Sequence, residues 1–199
     1  MKTGQRRFSF FSCWLLLVFV VTACQGIPLR SVPRLYRLQG ELLTMDPAAL
    51  RLAVQLDARL APPPTSSPQL VIHLTTKRRG SVDNVERRLP MHYLQTAGAV
   101  PGLPLPDSRR RWLVYSLTPE SRAELQAIQN RVRQGRDDGG EGGTLGLGID
   151  QSGLLENTTD MMDSRWETWL QVSTQEGFFE LWSGTVADLL RQARAAQGH

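Results

Sequence analysis

Few residues in this chain of 199 are of a type that does chemistry, and their spacing limits what they can do. The histidines are His73, His92 and His199, and the cysteines are Cys13 and Cys24. A metal site built on His73 needs a second ligand two or four residues along its strand, and Thr75 and Lys77 stand there instead. No H-E-x-x-H, C-x-x-C or G-x-S-x-G occurs. Ser152, in Gln151-Ser152-Gly153, lacks the elbow glycine and an evident base, so it reads as a turn serine. Gly146-x-Gly148 lacks the third glycine of a dinucleotide fingerprint. Asp137, Asp138 and Glu141 flank a glycine-rich loop that resembles a calcium-binding nonapeptide only faintly, with Thr144 where aspartate is required. A solvated acidic loop is the expectation there. No two carboxylates are fixed within reach of one substrate atom, so no acid–base pair is nominated. The chain is expected to be non-enzymatic, with no metal and no cofactor.

Cys24 is different because of what precedes it. Lys2, Arg6 and Arg7 form a basic head, and no charge occurs from Phe8 to Ala23. That run is short for a permanent bilayer span, which takes roughly 20 residues, and suits the apolar region of an export signal. It stops at the small residues Thr22 and Ala23, and Cys24 follows. Val21-Thr22-Ala23-Cys24 resembles the lipobox of bacterial lipoproteins. The resemblance implies cleavage between Ala23 and Cys24 by signal peptidase II and acylation of Cys24. It also implies general secretory export and a domain tethered at the periplasmic face of a membrane. Aspartate after the cysteine is the inner-membrane retention signal of enteric bacteria, so Gln25 implies the outer membrane. The resemblance covers about 25 residues; beyond it the chain resembles only uncharacterised proteobacterial lipoproteins.

The division that follows is a signal peptide over 1–23, a lipidated cysteine and tether over 24–34, and one globular domain over 35–199. Without residues 1–23 the formal charge falls from +4 to +1, because that segment holds three basic groups and no acid. The basicity belongs to the signal, and nucleic acid is not an expected partner. Cys13 leaves with the signal and Cys24 becomes a thioether, so no disulfide forms within the domain. The sequence does not set an oligomeric state.

Hydrophobic patterning then places the elements. Apolar runs and alternation predict strands over Leu35–Leu43 (interrupted at Gly40), Leu50–Leu56, Leu70–Thr76, Arg111–Leu117, Thr144–Ile149, Arg165–Val172 and Phe178–Ser183. Val82–Leu89 reads as a charged strand, suited to an edge. Thr118-Pro119-Glu120 opens a helix with Leu125, Ile128 and Val132 on one stripe, ending at Gly135. Thr185 and Asp188 start a C-terminal helix. With about eight strands and no β-α alternation, the fold class is mainly β. An antiparallel sandwich or open barrel with one inserted and one terminal helix is expected.

Two groups of residues are candidate binding surfaces. Trp166, Trp169, Phe178, Phe179 and Trp182 crowd one hairpin, and alternation sends Trp166 and Trp169 to opposite faces. One set is core, and the C-terminal helix is the expected cover for the other. Arg109, Arg110 and Arg111 form a basic cluster, with Lys77-Arg78-Arg79 and Arg87-Arg88 as companions. The expected role is a membrane-anchored module that binds another envelope protein. The alternatives are a carrier of lipids or apolar ligands walled by the aromatic hairpin and, third, a hydrolase.

Overall fold

A computed structural model describes Pro28 and residues 31–63, 65–78, 81–96, 100–137, 143–156 and 158–197. Ala23, Cys24, Asp138, Glu141 and His199 lie outside the described residues. The described chain is mainly β. Its elements are α1 (Val32–Glu41), β1 (Arg51–Asp57), β2 (Gln69–Arg78), β3 (Ser81–Thr96), β4 (Arg110–Leu117), α2 (Pro119–Asp137), β5 (Gly143–Asp150), β6 (Arg165–Gln171), β7 (Phe179–Thr185) and α3 (Val186–Gln197). Seven antiparallel strands form one sheet, curled into a half-barrel, in the order β5-β2-β3-β4-β1-β6-β7. Of the two anticipated architectures, the open barrel is the one formed.

β3 is the hinge of this sheet. Its first ten residues, Ser81–Pro90, pair with β2, and Met91–Thr96 pair with β4. Two wings, β5-β2-β3 and β3-β4-β1-β6-β7, thus share one long strand. The charged stretch expected at an edge is the first half of β3. It is interior in strand order, yet Asn84 to Arg88 are exposed.

Alternation is obeyed in β1, where Leu52, Val54 and Leu56 enter the main core with Leu113, Tyr115 and Leu117 of β4. The other face is covered too. Ala53, Trp112 and Val114 form a second, smaller core with Val100, and Leu103, Trp169 and Phe178 pack against it. The proline-containing loop before β4 therefore folds over the outer face of the sheet.

Leu35–Leu43, expected as a strand, lies mostly in helix α1, and the strand count falls to seven. Pro33 stands in the helix's first turn, where proline's fixed φ is tolerated. Leu35, Leu38 and Leu42 are spaced by three and four residues, and only a helix turns all three toward the core. The helix is tied down from Ser31 on, so part of the stretch assigned to the tether belongs to the fold.

The other helices start as their sequences imply. Thr118 Oγ1 accepts the Ser121 N–H at 3.1 Å, and Ser121 Oγ donates to Pro90 O at 2.8 Å, fastening α2 to β3. Leu125, Ile128 and Val132 are buried. Gly135 does not end α2, which continues to Asp137; a glycine inside a helix costs only about 1 kcal/mol against alanine. Gln129 Nε2 donates to Leu42 O at 2.8 Å and Met45 O at 3.1 Å, satisfying carbonyls just past the end of α1. Asp188 Oδ2 accepts the Thr185 N–H at 2.9 Å, and the Asp188 N–H donates to Thr185 Oγ1 at 3.2 Å, completing the capping box of α3.

Candidate functional site

A concavity lies on the outer face of the β5-β2-β3 wing. Cross-strand register aligns Gly148 with Val71 and Arg88 in one row, and Gly146 with His73 and Glu86 in the next. Residues two apart along a strand share a face, so these rows lie side by side. At Gly146 and Gly148 a Cβ would meet His73 Cβ at 3.5 Å and Val71 Cβ at 3.6 Å, which is ordinary contact. The glycines leave the floor beside β2 open, and the opening is a groove. Leu189, Gln192 and Ala193 of α3 and Leu155 supply further lining, around a cavity of about 380 Å³. That volume falls at the lower end of the range of small-molecule pockets.

The polar rim is knit together. Arg88 Nε donates to Glu86 Oε1 at 2.8 Å, and Arg88 Nη1 donates to Asp150 Oδ2 at 2.6 Å. His73 Nδ1 lies 3.8 Å from Glu86 Oε2. Asp150 Oδ1 accepts the Ser152 N–H at 2.9 Å. Partial burial opposes ionisation of Asp150, but the Ser152 amide and hydroxyl and the Arg88 guanidinium outweigh it and hold the carboxyl below its usual range. The Glu86 carboxylate, with Asp150, pushes Arg88 upward. The groove therefore offers an apolar floor (Val71, Leu155, Leu189) beneath a rim with an imidazole, two carboxylates and a guanidinium. Such a lining is chemically suited to a molecule with both apolar and polar groups.

His73 is exposed, on the face opposite Ile72, as its place in the alternation implies. Its neighbours were not identified from sequence. A signal existed: β2 and β3 follow one another closely in the chain, and pairing Arg78 with Ser81 sets His73 opposite Glu86. Asp150 comes from β5 and has no such local signal.

The other candidates are placed as follows. Trp166, Phe179 and Trp182 are buried in the main core, where Val186, Leu189 and Leu190 of α3 also pack. A register shift at Thr168/Trp169 pairs Thr168 with Trp182 but Trp169 with Glu180, leaving Leu181 as the extra residue. This bulge brings Phe179 and Trp182, three apart, to the same core. Trp169 and Phe178 go to the second core, their cover being the loop through Val100 and Leu103 in place of the expected helix. That loop is held by Trp112 Nε1, which donates to Pro104 O at 2.9 Å. The Trp112 and Trp169 rings meet edge to face at 6.0 Å.

Strand alternation splits the arginine cluster. Arg109 is exposed at the turn before β4, its N–H donating to Asp107 Oδ1 at 2.8 Å. Arg110 Nη1 donates to Glu167 Oε1 at 2.9 Å on a half-covered part of the sheet. Arg111 Nη2 donates to Leu60 O. Arg87 lies 3.9 Å from Glu124 on α2, and Arg88 is the groove arginine. The three arginines thus do not form one patch.

His92 pairs with Ser116 across β3 and β4, Oγ to Nε2 being 3.2 Å. Ser116 is buried, so the pair fastens two strands and its hydroxyl is not open to a substrate. Among the described residues, no three His, Cys, Asp or Glu side chains gather as a metal site. No described helix is long and apolar enough to cross a membrane. Comparisons with protein-family models, curated proteins and solved structures find no match to this chain.

Proposed function

We propose that this chain is a lipid-anchored envelope protein whose non-catalytic domain binds another envelope component at the periplasmic face, on the outer membrane in preference to the inner. The observation that carries the reading is the short distance along the chain from the lipobox-like Val21-Thr22-Ala23-Cys24 to the fold. Ser31, seven residues after Cys24, is already buried, its Oγ donating to Glu180 O of β7. A diacylated or triacylated Cys24 would then keep the domain close to the bilayer, since two or more acyl chains make attachment stable. The groove between α3 and the β5-β2-β3 wing supports the binding role. The packing of the aromatic hairpin into the two cores supports this reading over the apolar-carrier alternative.

Two measurements test this. Mass spectrometry of the native protein should find Cys24 as the first residue, carrying acyl chains, and Cys24→Ser should release the domain from membranes. A photo-crosslinking residue at Gln192, beside the groove, should capture one discrete envelope component in intact cells. A free thiol at residue 24 would end the anchoring reading. The absence of any discrete adduct at the groove, in a chain that is anchored, would end the binding reading.

A further inference from the structure

We infer that the outer face of α1 is the surface on which the anchored domain rests against its own membrane, with anionic lipid headgroups as the partner. The inference depends on the anchoring reading above and adds to it an orientation and a contact face.

The first observation is how α1 is fixed. Arg34 Nη2 donates to Glu176 O at 2.9 Å and to Gly177 O at 3.0 Å, in the turn that joins β6 to β7. The Arg34 guanidinium lies 4.6 Å above the Phe179 ring. With Ser31 tied to Glu180 and with Leu38 and Leu42 in the core, the helix cannot roll. What remains outward is therefore set by the fold. Val32 is 50% exposed and Tyr36 80% exposed, one turn apart on the same stripe, and Pro33 and Arg37 beside them are exposed as well. Together Val32 and Tyr36 give the outward side of α1 a small apolar spot.

The second observation is where the chain leads. The Ser31 N–H donates to Pro28 O at 2.8 Å, so the chain is already turned at Pro28. Only four residue steps separate Pro28 from Cys24, a reach of no more than about 14 Å. An acylated Cys24 thus holds the start of α1 nearer the headgroups than any distant part of the domain. The third observation is charge: Arg37 is exposed beside Tyr36 on the outward side, while Arg34 is turned inward and paired with Glu176 at 3.2 Å. An outward tyrosine beside an outward arginine matches an anionic interface, where aromatic rings sit at headgroup level and arginine draws acidic lipids.

The test uses the acylated full-length chain in vesicles. With Cys13 removed and Cys24 acylated, Tyr36→Cys provides the one free thiol, to be labelled with an environment-sensitive fluorophore. Leu105→Cys, at the other strongly exposed apolar position, serves as the control. In vesicles of phosphatidylethanolamine with phosphatidylglycerol, iodide should quench the label at 36 about threefold less than the label at 105, and omitting phosphatidylglycerol should narrow the gap. Equal quenching at the two positions overturns the inference while leaving the anchor intact. Protection of residue 36 in native membranes but not in lipid vesicles also overturns it, assigning the face to a protein. A chain without acyl mass at Cys24 fails earlier, at the anchoring reading, and takes this inference with it.

Discussion

The Trp182 indole lies across the backbone of Gly184. A Cβ built on Gly184 would stand 2.6 Å from Trp182 Cζ2 and 2.7 Å from Cη2. The two residues share a face of β7, and the ring extends along the strand over the position that has no side chain. Trp182 is held among core residues and cannot retreat cheaply. Gly184→Ala should therefore cost about 1–3 kcal/mol, the usual range for overpacking, in urea denaturation. Gly40→Ala is the counterpart, in a helix with nothing within 4 Å of its Cβ. It should gain up to about 1 kcal/mol. A neutral Gly184→Ala would show that the ring does not lie as described.

Glu167 anchors a half-buried ion cluster. Its Oε1 accepts from Arg110 Nη1 and from Arg165 Nε, both at 2.9 Å, and its Oε2 accepts from Trp169 Nε1 at 3.3 Å. The Arg110 and Glu167 side chains are 15% and 11% exposed, whereas Arg165 is mostly in solvent. Glu167→Gln leaves the Arg110 charge covered and unpaired and should cost about 3 kcal/mol. Arg165→Ala removes only a surface partner and should cost under about 1 kcal/mol. Equal losses in chemical denaturation would contradict this ranking.

Acid should weaken the fold through Asp57 and Asp150. Hydrogen bonds from the Arg59 side chain and backbone hold Asp57 down to about 2, and Asp150 is lowered as described. Both are more acidic folded than unfolded, so their charged forms favour the folded state. That contribution is present above the unfolded value near 3.9 and is lost as pH falls through the folded values. Asp57→Asn should flatten the fall in melting temperature below about pH 4. An unchanged acid limb would rule out Asp57 as its source.

Alkali acts through Tyr115. Burial pushes this phenol up to about 12, with Tyr93 alongside adding to the rise. The rings of Tyr93 and Tyr115 meet edge to face at 5.7 Å. The unfolded phenol loses its proton near pH 10 while the folded one keeps it, so stability should fall between about pH 10 and 12. Tyr115→Phe should remove much of that fall, read from urea midpoints across the pH range, at little cost near neutrality.

Much of the sheet was legible because its strands are half-buried and alternate cleanly, as in β1 and β6. The first element was misread because Leu35–Leu43 is short and apolar on both alternating sets, and Pro33, which marks a helix start, was counted with the tether. The groove was largely illegible. His73, Glu86 and Asp150 are far apart in sequence and meet only through pairing, and of the two registers involved only the β2–β3 hairpin leaves a local trace. The aromatic hairpin was seen, but its sorting depends on the bulge at Leu181 and on a proline-containing loop returning over the sheet. Neither has a periodic signature.

The bond from Ser31 to Glu180 spans 149 positions of the chain. The start of α1 therefore gains this anchor only once the final hairpin is in place, although Leu38 and Leu42 also pack on earlier elements. Such long-range closure makes folding late and slow.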